Sequence, residues 1–275
     1  MNQLTSYGFI FALIFLAIFE GNAGDHISLV KGLTLSILLA YAAFFLTWIT
    51  IDAVLPVIIL GTAIFGFGGW ILAIAVIVFF ITGSLFTRLN HDRVPTDKLE
   101  GYETRRDGLQ VWANGFWIAI FCIFWFLTDI EIFLAAAFAV VAVATADTWA
   151  TEVGLRNPGR TVSVISGKVV QPGTDGGVSL KGTLFSLLGA LLIGFFASQG
   201  VGQNPLWIMG ATTLAGFLGC FIDSYVGAMY QNDESQKKIK ASRWSKFDSG
   251  KKNSFVNWIS TGSGGFIALV LLLII

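Results

Sequence analysis

Nine apolar stretches constrain this chain more than any other feature: residues 6–19, 29–48, 52–67, 70–87, 109–128, 131–150, 181–199, 207–229 and 255–275. Each approaches or reaches the roughly 20 residues that a helix needs to cross a bilayer, the first and third being short. With 55% hydrophobic and only 12% charged residues, the expected fold class is an all-α polytopic membrane protein. It reads as a single transmembrane domain over 1–275, a bundle of about nine transmembrane helices. The opening MNQLTSYGF has no basic n-region, so the first stretch is expected to be a retained helix.

Basic residues give the bundle a direction. Sixteen of the 17 Lys and Arg fall between stretches four and five, six and seven, and eight and nine, and Lys31 is the one that does not. With nine helices those loops share one face, which the positive-inside rule makes cytoplasmic. Two cytoplasmic loops stand out, a Gly-rich one at 154–180 and a basic one at 231–253. Zero net charge and a pI near 6.7 argue against a nucleic-acid partner, which needs a basic face.

Carboxylates then become the informative residues. A charge in hydrocarbon costs about 2.5–3.5 kcal/mol, so it is rare without a partner or a task. TADTWATEVG closes the sixth stretch with Asp147 and Glu152, and CFIDSYVGAMYQ carries Asp223 about two turns from the same face. Apart from Lys31, near the end of the second stretch remote from this face, and Lys181, at the very start of the seventh, no Lys or Arg lies inside an apolar stretch to neutralise Asp147 or Asp223. Asp147 and Glu152 lie about 140° apart on an ideal helix, so they need not share a ligand. Asp147-Thr148-Trp149 and Asp223-Ser224-Tyr225 look like a faint repeat. The fifth and ninth stretches begin at this face with polar stripes: Asp107, Gln110 and Asn114 in one, Asn253, Asn257 and Ser260/Thr261 in the other. Asn, Ser and Thr at such positions also serve as plain interhelical glue. Cys122 and Cys220 fall inside apolar stretches and read as reduced core thiols, and His26 and His91 as loop residues.

The loop PGTDGGVSLKGT places Gly173, Gly176, Gly177 and Gly182 around Asp175, with Thr174, Ser179 and Lys181. Glycines let backbone N–H groups approach an anion, and a helix starting there adds its positive end, although such a stretch also suits a simple turn. The alternating RTVSVISGKVV before it suits a strand or hairpin arm. The sequence lacks GxxxxGK[ST], HExxH, CxxC and GxSxG, so P-loop, zinc-protease, dithiol-redox and serine-hydrolase readings have no support. What remains is a cytoplasmic chamber of hard oxygen ligands, Asp147 and Asp223 with Asp107, Glu152 and Asp175 as further candidates, ringed by Arg105, Arg106 and Lys181. That chemistry favours Mg²⁺ and suits phosphoryl transfer, where catalysis is positioning and charge neutralisation.

Five ordered segments, RRDGLQVWANG, ADTWATEVG, PGTDGGVSLKGT, CFIDSYVGAMYQ and NSFVNWISTGSGG, resemble the integral-membrane family that includes plant phytyl-phosphate kinase and animal transmembrane protein 19. The resemblance spans about residues 45–265. It implies a membrane kinase that transfers a phosphoryl group from a nucleoside triphosphate, CTP or ATP, to a prenyl monophosphate. On that reading Asp147, Asp223 and Lys181 are catalytic. Arg105, Arg106, Asp107, Asn114, Thr148, Thr174, Gly176, Gly177, Ser179, Ser224, Asn253 and Asn257 bind nucleotide or substrate. Asp147, Glu152, Asp175 and Asp223 would hold Mg²⁺. A lipid monophosphate has its second pKa near 6 and needs no general base, which suits a site without His. Two other readings use the same residues: an ion-coupled transporter or flippase of an anionic lipid, and a CTP-dependent lipid nucleotidyltransferase.

Overall fold

The structure, a computed structural model, describes residues 2–91, 105–156, 159–230 and 249–274. Eight helices account for the apolar stretches: α1 (Asn2–Phe19), α2 (Ala23–Phe45), α3 (Ile51–His91), α4 (Gly108–Thr128), α5 (Glu131–Arg156), α6 (Leu180–Gly200), α7 (Pro205–Tyr230) and α8 (Ser249–Leu273). Among the described residues seven helices are long and apolar enough to cross a membrane, and α1 is a shorter apolar helix. The protein is an all-α polytopic membrane protein.

Nine stretches occupy eight helices because the third and fourth are two limbs of α3. Gly69 interrupts it with φ 80° and ψ 179°, a conformation essentially restricted to glycine. A straight helix would hold Trp48 and Phe80 roughly 48 Å apart at 1.5 Å per residue. Their ring centroids lie 5.8 Å apart, and Arg88 donates to the Leu46 carbonyl and the Thr47 hydroxyl, so the helix folds back on itself. The first limb follows α4, with Gly68 beside Cys122, and the second follows α5, with Trp149 donating to Thr82.

The hub is α5. From Leu134 to Ala146 every residue is buried, which its run of Ala and Val permits on all faces. Neighbours approach it through glycines: Gly189 of α6 faces Thr145, Gly216 of α7 faces Ala142, and Gly265 of α8 faces Val140. Small residues are what allow such close approach in a membrane, where helix association rests on packing.

Contacts place the starts and ends that carry the basic loops at one end of the bundle. Arg106 N donates to the Trp48 carbonyl, Thr87 reaches Glu152, and Tyr230 meets Phe255. We call this the basic end. The basic loop expected at 231–253 lies outside the described residues up to 248, as do Arg93 and Lys98; Lys251, Lys252 and Asn253 belong to α8. The Gly-rich loop starts later than expected, since α5 runs on through Gly154 to Arg156. It folds into a small antiparallel sheet of β1 (Thr161–Ser163), β2 (Val169–Val170) and β3 (Gly177–Ser179), in the order β2-β1-β3. Thr161 pairs with Val170 on one side and Ser179 on the other. The hairpin arm expected from alternation is β1–β2.

Candidate functional site

Helix packing at the basic end brings Asp147 of α5 and Asp223 of α7 together. Their carboxyl groups are in hydrogen-bonding contact, although 76 residues apart in sequence. Both side chains are half-buried, and Ser260 of α8 donates to Asp223 Oδ2 at 2.7 Å. The charged groups that bear most on Asp147 are Asp223 and Glu152, and Asp175 bears on Asp223; all are acids. Two carboxyls in contact need a proton or a cation between them. Cys220, buried one turn before Asp223, bonds to Ser186 and lies in the field of both aspartates.

The four expected metal ligands do not form one cage. No group of three or more His, Cys, Asp or Glu side chains converges among the described residues. Glu152 is buried, accepts from the Thr87 hydroxyl at 2.6 Å, and faces the charge of Arg106. Asp175 is exposed in the loop. Mg²⁺ is ordinarily held by one or two carboxylates with the rest of its shell from waters and phosphate, so the Asp147–Asp223 pair fits it while the larger set is unnecessary.

Around the pair, most expected binding residues have local structural tasks. Asp107 is the N-cap of α4, accepting from Gln110 N at 2.7 Å in a capping box. Asn114 donates to the Gln110 carbonyl on its own helix at 3.0 Å. Arg105 is exposed. Arg106 lies over the Phe79 and Phe80 rings, 5.4 and 5.3 Å from their centroids. Desolvation there pushes its guanidinium down to about 10, with the Glu152 charge opposing, so it remains a cation at neutral pH. A Cβ at Gly83 would stand 2.5 Å from Arg106 Nη2 and 3.1 Å from the Thr148 methyl, which puts Thr148 in this second cluster.

The Gly-rich loop docks on α7 one turn beyond Asp223. Gly176 has φ +74°, and a Cβ there would collide with that of Ala228 and stand 2.8 Å from the Ser224 carbonyl. Packing alone therefore explains its glycine. Thr174 donates to the Gln171 carbonyl at 2.7 Å, and Gly177 N donates to the Thr174 carbonyl at 2.8 Å. Ser179 caps α6, accepting from Gly182 N at 3.1 Å. Lys181 is exposed. On α8, Asn253 is exposed, while the Asn257 carbonyl accepts from Ser260 and Thr261.

Sequence reasoning missed the partners more than the residues. Thr87, Ser84 and Ser186 gave no signal in the sequence beyond lying on inward turns, because each acts through a contact 22 to 65 residues away. Lys252 was counted among loop cations, yet it is buried on α8.

The family described as integral membrane protein DUF92 matches residues 34–266, a span that contains all five motif segments. Uncharacterized membrane protein MJ0933 of Methanocaldococcus jannaschii is 31% identical over 216 residues, covering 78% of this chain and 81% of the relative. Uncharacterized membrane protein sll0875 of Synechocystis is 27% identical over 77% of this chain and 78% of its own length. Protein PGR of Arabidopsis thaliana is 29% identical over 62% of this chain and 66% of its own length. No solved structure matches the chain.

Proposed function

The chain belongs to the integral-membrane family DUF92, and we propose that it is a phosphotransferase that moves the terminal phosphoryl group of a nucleoside triphosphate, ATP or CTP, onto a prenyl monophosphate lipid. The observation that carries this reading is the acid-only contact of Asp147 with Asp223 at the basic end. The resemblance of the five motif segments to a family with a prenyl-phosphate kinase supplies the substrate class.

Asp147 and Asp223 would hold Mg²⁺, with Ser260 fixing the orientation of Asp223 through its hydrogen bond. Bound there, the ion supplies charge neutralisation for phosphate oxygens. The reaction makes one bond, from an oxygen of the lipid monophosphate to the γ-phosphorus, and breaks another, from that phosphorus to the β–γ bridging oxygen. The products are a prenyl diphosphate and a nucleoside diphosphate. The acceptor oxygen of a dianionic monophosphate carries no proton, so the step asks nothing of a general base. The lipid tail would run between apolar helices while its phosphate meets the basic end, which the positive-inside rule puts in the cytoplasm with the nucleotide.

A transporter reading would use the pair as a coupling-cation site. Its structural hallmark, a broken helix, is present at Gly69, but the break lies at the opposite end of the bundle from Asp147 and Asp223. The test is to incubate the full chain in liposomes with Mg²⁺, γ-labelled or α-labelled ATP or CTP, and a panel of prenyl monophosphates. Transfer of γ-label to a lipid diphosphate supports the kinase. Transfer of α-label with pyrophosphate release makes it a nucleotidyltransferase, and no transfer to any lipid overturns the proposal.

A further inference from the structure

The small sheet has two faces, and one of them meets the bundle. Residues directly opposite each other in an antiparallel pair point to the same side, so Thr161, Val170 and Ser179 share one face and Val162, Val169 and Val178 the other. The first face turns inward. Thr161 is buried, and Ser179 Oγ lies 3.7 Å from where a Cβ on Gly154 of α5 would stand. The second face is three valines in register that end at the edge strand β2, where Val169 is 63% exposed. Ile165, in the turn between β1 and β2, is 51% exposed, and Leu180, directly after β3, is 85% exposed. Apolar side chains grouped on an exposed face mark a partner or a membrane.

Depth decides between them. The 21 residues of α6 measure about 32 Å, close to the roughly 30 Å of the hydrocarbon core. Away from the basic end α5 and α6 are level, since Gly202 N donates to Glu131 at 3.2 Å. At the basic end a Cβ on Gly182, in the first turn of α6, would stand 3.2 Å from the Ala150 carbonyl oxygen. Helix α5 continues from there to Arg156, so it rises about 9 Å beyond the start of α6, and the headgroup layer is roughly 5–7 Å deep on each side. The sheet fills this step: β3 runs into α6 without a loop, and Gly173 and Gly176 lean on Leu155 of α5 and Ala228 of α7. Below it, Leu180, Leu184, Leu187, Leu191 and Phe195 form one exposed stripe down α6. That stripe and the valine face both look away from α5, so the face continues the surface that lipid already covers. Exposed Arg160, Lys168 and Lys181 flank it in sequence, whereas Asp175, the one acid of residues 159–181, bears on Asp223. We propose that the valine face, with Ile165 and Leu180, is seated in the headgroup and upper acyl layer of the surrounding bilayer, and that the flanking cations select anionic lipid there. The surface stands on the membrane-spanning fold and not on the phosphotransferase reading. Its consequence is that the loop docked beside Asp223 is held by lipid as well as by α7.

The test is fluorescence of the full chain in nanodiscs without nucleotide, with an environment-sensitive maleimide on Val169→Cys or, for comparison, on Asp175→Cys. Cys122 and Cys220 are buried, so the unsubstituted protein serves as the labelling blank. The discs contain phosphatidylcholine alone or with phosphatidylglycerol, and the quenchers are aqueous acrylamide and lipids carrying a doxyl group at a shallow or a deep acyl position. In the mixed discs the Val169 label is expected to be quenched by shallow doxyl lipid about threefold more than the Asp175 label, and shielded from acrylamide by a similar factor. Arg160→Gln/Lys168→Gln should lower that quenching to the level in phosphatidylcholine, each basic residue being worth about fivefold near an anionic surface. Should Val169→Cys not accumulate, Ile165→Cys carries the same comparison. Acrylamide access at Val169 equal to that at Asp175, with no doxyl quenching, overturns the surface. Shielding from acrylamide without doxyl quenching overturns it too, because the face is then covered by protein, a second copy or another part of the chain. Doxyl quenching that is equal in both lipids and unchanged in Arg160→Gln/Lys168→Gln overturns the selection of anionic lipid.

Discussion

Two polar clusters sit at the basic end of this bundle, and they solve the problem of charge in a membrane differently. Arg106, Glu152 and Thr87 form a balanced group: cation, anion and donor, tying the second limb of α3 and the start of α4 to α5. Asp147 and Asp223 form an unbalanced one, two acids in contact with a serine donor and further acids around them. A balanced cluster can be complete within the protein, because each charge removed from water is met by another. An acid-only pair is complete only with a shared proton or a bound cation. Structure is therefore the expected task of the first cluster and function that of the second.

Replacing either aspartate should give the largest effect. Asp147→Asn or Asp223→Asn is expected to reduce Mg²⁺-dependent transfer by on the order of 10³-fold, about 4 kcal/mol, in the labelled-nucleotide assay. Ligand-free melting temperature should stay level or rise, since a repulsive contact is relieved. A variant that loses stability and activity in proportion would move the pair into the structural class.

The balanced cluster should respond in the opposite way. Arg106→Met strands the buried Glu152 and is expected to cost about 2–3 kcal/mol of stability, below the usual range for breaking a fully buried pair because Arg106 is only half-buried. The double variant Arg106→Met/Glu152→Gln should recover part of that loss, read as melting temperature without nucleotide. If the single variant keeps its stability but loses turnover, Arg106 contacts substrate and the contrast fails.

Gly176 separates packing from ligand binding in the loop. Gly176→Ala adds a methyl against Ala228 at a positive φ, for an expected cost of about 1–3 kcal/mol. Ala228→Gly in the same chain should restore part of it by removing the colliding methyl. Failure of that rescue in stability, with nucleotide affinity still lost, would return the loop to the role of an anion cradle. The smallest effect belongs to Ser260→Ala, which removes one hydrogen bond to Asp223 and should weaken Mg²⁺ binding by about fivefold, near 1 kcal/mol.

The sequence revealed the features that are chemically expensive. Apolar length named the helices, and Asp147 and Asp223 stood out because carboxylates in such runs demand a reason; the structure puts them in contact. Fold-back of α3 was foreshadowed as two separate apolar runs meeting at Gly66-Phe67-Gly68-Gly69, although the sequence does not reveal which glycine turns the chain. Polar residues with cheap local uses were harder to read. Asp107 and Ser179 have the identities expected of nucleotide- or substrate-binding residues and equally those of N-caps, and the structure uses both as caps. Gly176 suits close approach to phosphate, and the structure shows close approach to α7. Glu152 and Lys252 reverse their expected standing because burial, which decides the cost of a charge, depends on tertiary packing that local sequence does not encode.

The central claim is that the Asp147–Asp223 pair takes a divalent cation. Its direct test is Mg²⁺ titration of the metal-free full chain in detergent, followed by melting temperature, for wild type, Asp147→Asn and Asp223→Asn. A ligand that binds only the folded state raises its stability by mass action, about 2.7 kcal/mol at 100 times Kd. The account predicts a saturable Mg²⁺-dependent rise in wild type, absent from both variants while Glu152→Gln retains it. An equal rise in wild type and both aspartate variants would contradict the account, and so would no rise in wild type with or without nucleotide.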